Sequence, residues 1–197
     1  MAGTSTKEKL LEAALDLFSK KGYSATSVDE IAESIGIKGP NIYKYFKGKE
    51  ALLYAITDYS VNKYKEKMSM NIDISKLVHN KEELREFSLN QIKYTLTNND
   101  VIRLRKMYTI EQFRDERMGS MMTKQQYTAI MDIYIKIFTE LIASGQIKGG
   151  EPEILALEYV APTSLLIQLN DREPERIDDI IEMATKHIDF FIEKHFA

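Results

Sequence analysis

Four lysines (Lys38, Lys44, Lys47 and Lys49) fall between Gly36 and Lys49, with no Asp or Glu among them, and Asn41, Tyr43 and Tyr45 stand between the charges. An ammonium suits a phosphate. A carboxamide can meet a base edge with a donor and an acceptor together, and a phenol can serve either. At about 100° per residue, Ile42 and Phe46 fall on one side of a short helix, with Tyr45 beside them. Pro40, Lys44 and Lys47 fall on the other side, and Asn41 and Tyr43 lie on the flanks. The apolar side can pack inward while the polar side approaches a major groove and its phosphates. The chemistry of such a segment is contact with nucleic acid.

Helices must present those groups. Ser5 and Glu8 have the spacing of a capping box, and Leu10, Ala14, Leu17 and Phe18 follow on one stripe that Gly22 can end. Ser27 and Glu30 repeat the capping pattern, Val28, Ile31, Ala32 and Ile35 form a second stripe, and Gly36 stops it. The free N–H groups at that helix start are an anchor for phosphate. The third helix is predicted over Gly39 to Phe46. Further helices are expected at about 49–68, 80–98, 100–117, 122–144, 152–169 and 174–195. Between them lie a loop at Asn71–His79 and breaks at Asn98–Asp100, Gly119–Ser120, Gly145–Gly150 and Asn170–Asp171. Pro162 is expected to kink its helix. No alternating strand pattern occurs, so the fold class is all-α. On periodicity alone, a solvated corner of a helical bundle fits residues 24–53 as well as a helix-turn-helix does.

The exact string adds to the pattern. Gly36 to Leu53 reads G-I-K-G-P-N-I-Y-K-Y-F-K-G-K-E-A-L-L. It resembles the signature of the TetR family of bacterial transcription regulators at Gly36, Tyr43, Tyr45, Phe46, Lys49, Glu50 and Leu52. Upstream, Ala13-Ala14, Phe18, Gly22-Tyr23, Thr26-Ser27-Val28 and Ile31-Ala32 resemble it too, so the likeness spans about residues 6–53. Lys38, Pro40 and Asn41 depart from the family's usual Ser, Gly and small hydroxyl, which bears on base preference.

The resemblance implies an N-terminal three-helix helix-turn-helix DNA-binding domain, residues 1–48. A long helix would join it to a helical ligand-binding and dimerisation domain, residues 49–197. It implies that Thr26 and Ser27 face phosphate, that Asn41, Tyr43 and Lys44 lie at the groove, and that Tyr45 and Lys49 hold the DNA backbone. Lys38, Gly39 and Pro40 complete the expected DNA-binding set.

Charge and composition agree with contact at one end only. The net charge is -3, yet residues 1–49 hold 8 Lys+Arg against 6 Asp+Glu. A slightly basic end on an acidic body suits local phosphate contact. There is no cysteine, which excludes disulfides and thiolate chemistry. No run of about 18 apolar residues occurs, so no membrane partner is expected and the expected location is the cytoplasm.

Farther along, Leu165, Leu169, Ile177, Ile181, Ala184, Ile188 and Phe191 lie on two apolar helices that read plainly as ordinary core. A two-fold copy can also complete them as a four-helix bundle, and the resemblance implies that dimer, with these residues as its expected interface. The middle is rich in Met and aromatics. Phe87, Gln91, Tyr94, Met107, Tyr108, Gln112, Met131 and Tyr134 are candidates for an adaptable, largely apolar ligand pocket. Residue by residue, ordinary core is the commoner reading of such a stripe. His79, His187 and His195 lack metal-ligand spacing, and there is no Gly-rich phosphate loop or nucleophile elbow. No catalytic residue, metal or cofactor is therefore expected.

These readings converge on a homodimeric regulator, a repressor by its resemblance. Its expected partners are a double-stranded DNA operator of palindromic form and an unidentified small-molecule effector. A helical protein-interaction module without operator-specific binding is the alternative, and an enzyme has no support in the sequence.

Overall fold

The computed structural model describes residues 5–67 and 77–197. Among them the α-helices are α1 (Thr6–Lys21), α2 (Val28–Ser34), α3 (Lys49–Lys67), α4 (Lys81–Thr97), α5 (Asn99–Glu111), α6 (Glu116–Thr123), α7 (Ala129–Ala143), α8 (Pro152–Arg172) and α9 (Ile177–His195). The extended pairing among these residues is one isolated bridge, Ile147 with Phe196. The expected loop at Asn71–His79 falls largely outside the described residues, as does Met68.

Local chemistry sets the first boundaries. The Ser5 hydroxyl accepts the Glu8 N–H and the Glu8 carboxylate accepts the Ser5 N–H, a complete capping box on α1. Gly22 ends the helix at φ +89°, where a side chain would be strained. Asn80 caps α4 by accepting the Glu83 N–H at 2.9 Å.

Other boundaries differ from the sequence expectation. The segment Gly39–Lys44 is a 3₁₀ helix, not an α-helix reaching Phe46. It is six residues long, has a proline in its first turn and has no side-chain cap, so it closes short i to i+3 bonds. The expected helix at 100–117 ends at Glu111, and the Asp115 carboxylate accepts the Arg117 N–H to begin α6. Gly119 lies inside α6 rather than at a break. A Cβ there would meet the Gln112 carbonyl at 2.9 Å, so the absence of a side chain admits that carbonyl. A π-helical turn, Lys124–Thr128, precedes α7. Asn170 and Asp171 are helical, and Pro162 lies within α8.

Contacts divide the chain into two compact units: Met1–Ser69 with Asn99–Met122, and Met70–Asn98 with Thr123–Ala197. In the first, α1 packs on α2, α3 and α5. Its core gathers Leu10, Ala14, Phe18, Ile31, Ile42, Phe46, Leu52, Ile56, Leu104 and Tyr108. Thr57 and Tyr108 join hydroxyls at 2.9 Å within it. Burying a side chain such as Phe18 contributes about 1.5–3 kcal/mol.

The second unit packs α8 against α7 and α9, and α4 against α8 and α9. Its core is aromatic, with Tyr159 and Phe191 ring centroids 4.6 Å apart and Phe138 beside both. Two phenols share one acceptor there. Tyr134 donates to the Ser88 Oγ at 3.1 Å and Tyr159 donates to it at 2.8 Å. Burial pushes the Tyr159 phenol well above its ordinary pKa.

Candidate nucleic-acid interface

The 3₁₀ segment has three residues per turn, so side chains three apart lie in one row. Gly39 and Ile42 form the inward row, and both are buried. Pro40 and Tyr43 form an outward row, as do Asn41 and Lys44 (Asn41 half-buried, Lys44 exposed). This grouping differs from the α-helical wheel, which set Pro40 with Lys44. Tyr43 is 60% exposed and Tyr45 42%, while Phe46 is buried behind them and Lys38 and Lys47 are open to solvent. The segment therefore offers ammonium, phenol and carboxamide groups from a base fixed by Ile42 and Phe46.

Helix α2 supports that base. It packs on the 3₁₀ segment, and the Ile37 N–H donates to the Ala32 carbonyl at 3.0 Å. A Cβ on Gly39 would fall 1.7 Å from the Asp29 Oδ1, so the absence of a side chain admits the Asp29 carboxylate of α2. Ser27, exposed, caps α2 by accepting the Glu30 N–H at 3.1 Å. Glu30 itself pairs with Lys21, and that bond holds its carboxyl below the usual range.

Two residues expected at phosphate are turned inward. Thr26 is 2% exposed and its hydroxyl donates to the Gly22 carbonyl at 2.8 Å. Lys49 donates to the carbonyls of Tyr23, Thr26 and Ser24 at 2.8, 2.9 and 3.4 Å. Both hold the turn between α1 and α2. Burial pulls the Lys49 ammonium below its ordinary pKa, and the charge of Glu111 acts against that shift.

Glu111 is a residue that sequence reading did not find. Its carboxylate is 0% exposed. It accepts from the Ser24 N–H at 3.3 Å and from the Ser24 hydroxyl at 3.2 Å, across 87 positions of sequence. No local pattern signals that contact. Nearby, Arg117 pairs with Glu50 and with Asp115, the latter at 2.9 Å, which holds the Asp115 carboxyl below its usual range.

The candidate pocket residues do not all fall in one unit. Met107, Tyr108 and Gln112 belong to the first, where Met107 and Tyr108 are core. Phe87, Gln91, Tyr94, Met131 and Tyr134 belong to the second. There the Phe87 and Tyr134 rings meet at 6.1 Å, and Gln91 and Met131 are buried. The expected dimer residues also separate. Ala184, Ile188 and Phe191 lie in the chain's own core, and Leu169, Ile177 and Ile181 pack against it half-buried. Leu165 is 66% exposed. With Ile154 and Leu157 it makes an apolar stripe along α8, and Met183 and Phe190 make another along α9. No helix among the described residues is long and apolar enough to cross a membrane.

A family model described as bacterial regulatory proteins, tetR family, matches residues 10–56. The chain is 26% identical over 195 residues to the probable HTH-type transcriptional regulator YttP of Bacillus subtilis, covering 98% of this chain and 89% of YttP. It is 27% identical over 164 residues to the fatty acid metabolism regulator protein of the same bacterium, covering 79% of this chain and 77% of that one. Among solved structures, a complex of SmeT with triclosan matches with a TM-score of 0.73 at 20% identity, over 98% of this chain and 93% of that one. SmeT is the repressor of the Stenotrophomonas maltophilia multidrug efflux pump SmeDEF. At that identity the likeness to SmeT carries the fold alone.

Proposed function

We propose that this chain, whose residues 10–56 match the tetR family of bacterial regulatory proteins, represses transcription by binding a palindromic operator as a homodimer. It responds to a small, largely apolar effector. One observation carries the operator reading: Ile42 and Phe46 are locked inside while Tyr43 and Lys44 stand outward beside Asn41. Residues 1–48 supply the DNA-reading surface, and residues 49–197 supply the effector and dimer surfaces. The compact unit around the reading surface also takes in α3, α5 and nearly all of α6.

Within the reading surface, Asn41 and Tyr43 meet base edges, and Lys38, Lys44 and Tyr45 meet the DNA backbone beside Ser27. Gly39 and Pro40 shape the segment. Thr26 and Lys49 act one step back, by holding the turn. One helix-turn-helix reaches one half-site. A two-fold pair reads two half-sites, one helical turn or a multiple apart. The stripes on α8 and α9 are the surface for that pair, because they are apolar and face out of the chain's own core. The effector is placed among Phe87, Gln91, Met131 and Tyr134 in the second unit. SmeT, which shares this fold, has been solved in complex with triclosan, so the fold can hold a small molecule.

The test is operator binding by the full chain, using a duplex that carries the palindrome recovered by in vitro selection. Affinity should fall steeply as salt rises, because phosphate contacts release counterions. Tyr43→Ala with Lys44→Ala should abolish binding and leave the helical circular dichroism and the unfolding midpoint unchanged. A wild type that selects no palindrome, or that binds with flat salt dependence, refutes the reading.

A further inference from the structure

We propose that Glu111 is a positioning residue for DNA binding: from the C-terminal end of α5 it fixes the turn between α1 and α2, and so the reading segment. The inference rests on the operator reading given above.

The turn is held from two sides by opposite charges. Lys49 donates to its carbonyls at Tyr23, Ser24 and Thr26. Glu111 takes its donors, the N–H and the hydroxyl of Ser24, with one carboxylate oxygen each. The fit to the chain is close. A Cβ on Gly22 would fall 2.4 Å from the Glu111 Oε1, so the carboxylate occupies the space a side chain would need.

A fully buried carboxylate is a poor way to stabilise a helix end. Its desolvation is costly, and an apolar residue of similar size packs there as well or better. What the carboxylate adds is direction, because its acceptors fix where Ser24 must lie. Three residues later Ser27 caps α2, and α2 carries Asp29 against Gly39 at the start of the 3₁₀ segment. A displaced turn therefore moves α2, and α2 moves Tyr43 and Lys44.

Three variants of the full chain test this against the selected palindromic duplex. Glu111→Leu keeps the bulk and loses every acceptor. Its affinity is expected to fall about tenfold, the size of one lost charge-assisted contact, while its unfolding midpoint stays or rises. Glu111→Gln keeps a carbonyl for the Ser24 N–H and should recover most of the affinity. Amide exchange at Ser24 should be fast in the Leu variant and slow in the Gln variant, a signature that loss of packing alone does not give. Should Glu111→Leu fail to fold, Ser24→Ala at an exposed position decides. It is expected to bind about threefold more weakly, for one lost hydrogen bond, at unchanged stability.

Wild-type affinity in Glu111→Leu, or in Ser24→Ala where that variant decides, overturns the proposal. So does an affinity loss in Glu111→Leu that only tracks lost stability and that Gln does not recover. A wild type that selects no palindrome fails earlier, and that result strikes the operator reading itself.

Discussion

The Lys49 Nζ lies 2.8 Å from the Tyr23 carbonyl oxygen and 4.4 Å from the centre of the Tyr23 ring. An ammonium held by carbonyls and an aromatic face is occupied within the protein, which separates Lys49 from Lys44 although both lie on the same basic run. Lys44→Ala should weaken binding to all sequences alike and reduce the slope of log affinity against log salt by about one phosphate. Lys49→Met should lower stability by about 1–3 kcal/mol and weaken binding with no change in that slope. Salt titrations of both variants check this. A reduced slope for Lys49→Met would mean that its ammonium leaves the turn to meet phosphate.

Gly22 should tolerate no side chain. Its φ of +89° strains an L-residue, and the added Cβ meets the Glu111 carboxylate. Gly22→Ala is expected to cost about 1–3 kcal/mol in chemical denaturation. With Glu111→Ala also present, part of that cost should vanish, giving a non-additive cycle. Additive costs would show that the backbone angle alone is responsible.

Leu165→Glu combined with Phe190→Glu should yield a folded monomer in light-scattering chromatography. Both positions are open on the isolated chain, 66% and 62% exposed, so the charges disturb association rather than the core. Phe191→Ala, one position along, should instead cost about 3–5 kcal/mol, because that ring is buried. An unchanged dimer in the double variant would move the interface elsewhere.

Alkali should unfold the second unit partly through Tyr159. Burial first, then the neighbouring Tyr134, raises its pKa above the ordinary 10.0. Above that ordinary value the unfolded chain gives up the proton while the folded chain keeps it, so the unfolded state binds fewer protons. Stability therefore falls as pH climbs. Denaturant midpoints of wild type and Tyr159→Phe should run parallel up to about pH 9, and above about pH 10 the wild type should drop faster. Parallel curves throughout would remove Tyr159 from the alkaline transition.

Local signals carried far in this chain. Ser5 with Glu8, and Asn80 with Glu83, begin helices as their spacing requires, since capping depends on residues three apart. Ile42 and Phe46 anchor the reading segment as their apolar character demands. Contacts made at a distance were not legible. Nothing near Lys49 in sequence reveals the carbonyls of residues 23–26, and nothing near Glu111 reveals Ser24. The face of α9 was visible as a stripe, but periodicity cannot say what covers it. Ile188 and Phe191 are covered by the chain's own helices, while Phe190 is exposed. Gly119 misled for a related reason. Its need is spatial, a carbonyl from Gln112, and the break it suggested lies at Gln112–Asp115 instead.

The shared acceptor at Ser88 constrains how this chain can change over generations. Its oxygen serves both Tyr134 and Tyr159, so replacing Ser88 alone takes an acceptor from two buried hydroxyls at once, a larger loss than the small atom removed. Tyr134 and Tyr159 can each become Phe while Ser88 remains, but the reverse order passes through a damaged intermediate. A lineage that lost Ser88 should therefore carry phenylalanine at both partner positions first, an ordering that reconstructed ancestors would record.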